Sequence, residues 1–130
     1  MNSLQIAAFT LSIIGAFIAI FCYLPGAIKT LKYNDTRGIS AIMFGLTVIG
    51  CSIWVVYSVL MLVNAGITHG DWSAFVGGFA SLISNLGLGL FGAIIFSKKI
   101  INLKRAKKEG LTENEWYKKH YENVHSKKTN

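Results

Sequence analysis

Three uncharged apolar runs dominate this sequence: roughly Ile6–Ile28, Ala41–Val63 and Ala74–Phe96. Each exceeds the ~20 residues an α-helix needs to cross the hydrocarbon core of a bilayer. A helix buried in a water-soluble core would carry a polar face, and these barely do. Inside lipid every backbone N–H and C=O must be satisfied within the segment, so an apolar run of this length can only be a helix. The expectation is an all-α integral membrane protein: a three-transmembrane-helix bundle over residues 1–99, followed by a basic helical tail over residues 100–130.

The charges agree with that division. Only 15% of the 130 residues are charged, and the mean hydropathy is +0.47. Up to Ser97 the chain carries Lys29, Lys32 and Arg37 against Asp35 and Asp71, a net +1, and the rest of the formal +7 follows Lys98. Loop charge sets orientation. The Lys29–Arg37 loop and the Lys98–Lys108 segment belong in the cytoplasm, which puts the N-terminus outside and suits a prokaryotic inner membrane. The first run lacks a basic n-region and a small-residue cleavage site, so it reads as a span and not as a cleaved leader.

Small residues stripe two of the helices. Ala8, Ser12, Gly15, Ala19, Cys22 and Gly26 share a face of the first, and Gly77, Ser81, Asn85, Gly89 and Ala93 a face of the third. Such faces let helix backbones approach closely where packing, and not hydrophobicity, drives association. The only proline, Pro25, lies near the end of the first run. It removes a hydrogen bond to the carbonyl of Phe21, leaving either a packing kink or a moving part.

Two polar-capable residues lie near mid-membrane, Trp54 and Asn85. A central tryptophan is unusual, since its N–H prefers the interface. An unpartnered asparagine in hydrocarbon costs several kcal/mol, so Asn85 either bonds another helix or faces a wet cavity. Cys22 and Cys51 form no metal motif, and His69, His120 and His125 are too scattered for one. No nucleophile–base pair, carboxylate pair or phosphate loop is present, which speaks against an enzyme and against a cofactor. In the tail, Thr112-x-x-Glu115 reads as a capping box opening a short helix. Trp116, Tyr117 and Tyr121 interleave with Lys118 and Lys119, as in a segment lying on anionic lipid headgroups. A membrane-tethered tail with lipid at hand is a poor candidate for nucleic acid.

Three helices cannot enclose a solute path, so a transporter built this way needs two copies. Tyr23-Leu24-Pro25-Gly26, Lys29, Thr36-Arg37-Gly38-Ile39-Ser40 and Gly50-x-x-x-Trp54-x-x-Tyr57 together resemble the bacterial SemiSWEET sugar transporters of the PQ-loop superfamily. The resemblance implies a parallel homodimer that moves a small neutral solute, above all a sugar, by alternating access. It implies that Trp54 and Asn85 line the pocket, that Pro25 is a hinge and that Tyr57 lies at the outer gate. Gly26 stands where that family has glutamine, the charged residues that follow the tyrosine are missing, and the third helix lacks its customary proline. Two other readings stay open. One is a transporter of an amino acid or vitamin. The other is a membrane-anchored interaction protein acting through its basic tail.

Overall fold

The computed structural model describes residues 3–67 and 72–122. His69, Asp71 and His125 lie outside them. The described chain forms three long helices: α1 (Ser3–Tyr33), α2 (Ala41–Ile67) and α3 (Trp72–Lys108). A short α4 (Glu113–Tyr117) and one π-helical turn (Lys118–Glu122) follow. All three long helices are long and apolar enough to cross a membrane.

α3 lies between the other two and packs on both, whereas α1 and α2 meet far less. Glycines govern the α2–α3 contact. A methyl group on Gly89 would stand 3.3 Å from the Cβ of Cys51, and one on Gly78 would stand 3.3 Å from the backbone oxygen of Ser58. Ser58 is fully buried there and donates to Ser81 Oγ at 2.9 Å. On the other side of α3, Gly87 takes the side chain of Ile20 from α1. The small-residue face of α3 therefore meets α2 at Ser81 and Gly89, whereas its member Gly77 is exposed with open space around it. On α1 the stripe members Ser12, Gly15 and Cys22 are exposed within the protomer. α1 packs on α3 through Ile20 and Ala27, the latter 1% exposed, and from that stripe through Gly26 beside Ile95.

The helices are longer than the apolar runs. α1 continues through Pro25 to Tyr33, so the proline interrupts the hydrogen bonding without ending the helix. α3 runs straight across residue 99, the expected boundary, because Lys, Arg, Ala and Leu are good helix formers and no breaker occurs before Gly110. Its basic last turn also suits the negative end of the helix dipole. Gly110, at φ +69°, then ends it: Leu111 N–H donates to Ala106 O at 3.0 Å and Gly110 N–H to Lys107 O at 3.1 Å. This is a Schellman turn, and it reverses the chain.

The α1–α2 loop is equally specified by its residues. Asn34 (φ 51°) closes α1 in the left-handed conformation that asparagine tolerates. Thr36–Ile39 form a turn, Ile39 N–H donating to Thr36 O at 3.2 Å, whose third residue, Gly38, has φ 73°. Ser40 Oγ accepts from Met43 N–H at 3.2 Å and caps α2.

Candidate functional site

Asn85 and Trp54 have different neighbours in the protomer. Asn85 donates to Ser81 O at 2.8 Å and to Ser81 Oγ at 3.3 Å. Both acceptors belong to α3 itself, so the link to α2 runs through the Ser58–Ser81 hydrogen bond and not from the Asn85 amide. Asn85 also lines a groove of about 320 Å³ whose α2 wall is Val48, Cys51, Ser52 and Val55. Trp54 is absent from that wall. A helix turns about 100° per residue, so Trp54 points about 60° away from Cys51 and about 100° away from Val55, beside that wall and not in it. There it packs edge-on against Tyr57, ring centroids 5.3 Å apart, and both rings are about half exposed. Trp54 thus meets Tyr57, while Asn85 lines a groove that Trp54 does not. A second groove, about 190 Å³, lies between α1 and α3 and is walled entirely by apolar side chains, among them Ile13, Phe17 and Phe79.

The largest polar constellation is one the sequence did not announce as such. It lies where α1, the α1–α2 loop, the end of α3 and the tail converge. Asn102 donates to Asn34 O and to Thr36 Oγ1, both at 2.9 Å. Lys99 Nζ donates to Thr36 O at 3.0 Å and pairs with the Glu113 carboxylate. Thr36 Oγ1 donates to the other oxygen of that carboxylate at 2.6 Å. Tyr117 OH donates to Tyr33 O at 3.3 Å, Asn34 Nδ2 donates to Tyr121 OH at 2.7 Å, and the Arg37 guanidinium lies 4.0 Å from the Tyr117 ring centre.

Trp116 and Tyr117 are accordingly buried. The expectation that the tail aromatics lie on the membrane gives way to this packing: the reversal at Gly110 folds the tail back, and its rings face the protein. Trp116 Nε1 donates to Glu109 Oε1 at 3.0 Å. The capping box is as expected, with Thr112 N–H donating to Glu115 Oε2 at 2.8 Å and Glu115 N–H to Thr112 Oγ1 at 3.4 Å.

Three carboxylates here are held low, Glu115 by hydrogen bonds from the side chain and backbone of Thr112. Burial pushes Asp35 upward, but hydrogen bonds from the side chain and backbone of Arg37 and from Lys29 outweigh it and hold the pKa at about 2. Glu109 is brought to about 2 by hydrogen bonds from Lys119, His120 and Trp116, against a small upward push from burial. For Asp35 the folded value lies below the unfolded 3.8. Its contribution to loop stability is therefore complete above that pH and is lost as pH falls toward about 2. Protection of the Arg37 amide, which donates to Asp35 Oδ1 at 3.1 Å, is expected to fall over that window and to lose the dependence in Asp35→Asn.

Residues 7–66 match the family model described as PQ loop repeat. The chain is 29% identical over 90 residues to the sugar transporter SemiSWEET of Escherichia coli (strain UMEA 3162-1), an alignment covering 69% of this chain and 84% of the relative. It is 27% identical over 135 residues to an uncharacterised protein of Ureaplasma parvum serovar 3, covering 91% of this chain and 73% of that one. No solved structure matches.

Proposed function

We propose that this chain, whose residues 7–66 match the PQ loop repeat, is a membrane facilitator for a small neutral polar solute, a mono- or disaccharide, working as a parallel homodimer. The observation that carries this reading is a half-exposed indole, Trp54, in the middle of an apolar span. An indole face packs against the C–H surface of a sugar, and a simple anchor has no use for one at that depth. The SemiSWEET relative supports the solute class. No charged side chain lies in the apolar runs to balance a charged cargo, which favours neutral solutes over ionic ones.

Asn85 is the second proposed contact, an amide able to pair with a hydroxyl through donor and acceptor. Trp54 is not among the residues that line the Asn85 groove, and in this proposal a site using both takes them from different copies. A two-fold pair does this twice, one protomer's Trp54 facing the partner's Asn85. Tyr57, beside Trp54 and one turn nearer the outer end, is the proposed outer gate. Pro25 is the proposed hinge, with Gly26 in place of a side chain that would stiffen it. The exposed Lys104, Arg105, Lys107 and Lys108 are proposed to meet anionic headgroups on the cytoplasmic side.

The test is uptake into liposomes holding the purified protein. Saturable entry of a neutral sugar, absent from empty liposomes, is the expected result. Saturable entry of a zwitterionic amino acid and no entry of any sugar would move the assignment to a different solute.

A further inference from the structure

The Glu113 carboxylate sits in a cradle made entirely by other segments. Thr36 Oγ1, from the α1–α2 loop, donates to one oxygen, and the Lys99 ammonium, from the cytoplasmic end of α3, pairs with the other. Lys99 is 6% exposed and Thr36 1% exposed. The cradle is held from behind: Asn102 donates to Thr36 Oγ1, and Lys99 Nζ also donates to Thr36 O. One ammonium and one hydroxyl, each aimed at a separate oxygen, match a carboxylate of single charge. A buried ammonium without its counter-charge is strongly unfavourable, so the cradle demands an anion.

We propose that this cradle is a carboxylate site with a built-in ligand, and that Glu113 in it latches the α1–α2 loop to the end of α3. The tail supplies the ligand because the Schellman turn at Gly110 returns it to the loop and the capping box starts α4 at Glu113. Tyr117 and Tyr121 extend the same grip to Tyr33 and Asn34, the last residues of α1 and the first of the loop. The latch spans the stretch beyond Pro25, so its release frees the end of α1 to bend. That last consequence rests on the transporter reading; the latch does not.

The test therefore follows the loop and not the solute. In the full-length, detergent-solubilised protein, amide exchange of Arg37 and Ile39 is compared among wild type, Glu113→Gln, Glu113→Gly and the exchanged pair Lys99→Glu/Glu113→Lys. Loss of the buried counter-charge in Glu113→Gln is expected to speed exchange roughly tenfold or more. Sodium formate, compared with sodium chloride at equal ionic strength, is expected to restore protection in Glu113→Gly, and the exchanged pair to restore it without formate. Exchange in Glu113→Gln and Glu113→Gly within twofold of wild type overturns the proposal. If either single variant loses helix content, the exchanged pair decides: recovered protection supports the latch, and its absence overturns it.

Discussion

Replacing Trp54 with alanine is expected to cut sugar uptake roughly thirtyfold at low substrate, about the 2 kcal/mol that burying an aromatic face against a ligand contributes. Bundle stability should hardly change. Trp54 is 54% exposed in the protomer and touches chiefly Tyr57, so its removal leaves no cavity in the helix packing. Thermal unfolding followed by circular dichroism should place the variant within about 0.5 kcal/mol of wild type. Trp54→Phe keeps an aromatic face and should recover most of the uptake. Asn85→Ala should also lower uptake, but with a cost in stability, because its amide bonds Ser81. Normal uptake by both alanine variants would remove the pair as the binding residues.

The second large effect is structural. A Cβ on Gly87 would stand 2.8 Å from Ile20 Cγ1, close to the branch point of a stiff side chain and not at a flexible tip. Gly87→Val is therefore expected to prise α1 from α3, at a cost of about 1–3 kcal/mol, read as a lowered midpoint of thermal unfolding in detergent. Ile20→Ala in the same chain should recover much of the loss. Gly15→Ala is the control: nothing lies within 4 Å of that position, so the added methyl group should leave stability unchanged or slightly raised through helix propensity.

The three spans were legible because lipid leaves an apolar run one option. Helix ends were less so. Lys98 looks like a boundary to a hydropathy reading, but a basic residue does not break a helix, and α3 continues to the first residue that does. The Thr112–Glu115 capping box could be read because both of its partners lie within one turn. The cradle at Lys99 could not, since Thr36 and Glu113 are 77 residues apart and no local pattern links them. The direction of Trp54 and Asn85 around the bundle was not legible either. That direction depends on how α2 and α3 are rotated against each other, which Gly78, Gly89 and the Ser58–Ser81 bond fix only once the helices meet.

The turn at Gly110 also bears on the order in which the molecule is assembled. The α1–α2 loop is synthesised early, but Lys99 follows Thr36 by 63 residues and Tyr121 follows Asn34 by 87. Until the ribosome has released nearly the whole described chain, the loop has none of these partners. Its final shape is therefore a report that translation has passed Gly110, and a chain stopped short of that point would carry three spans with an unfinished α1–α2 loop.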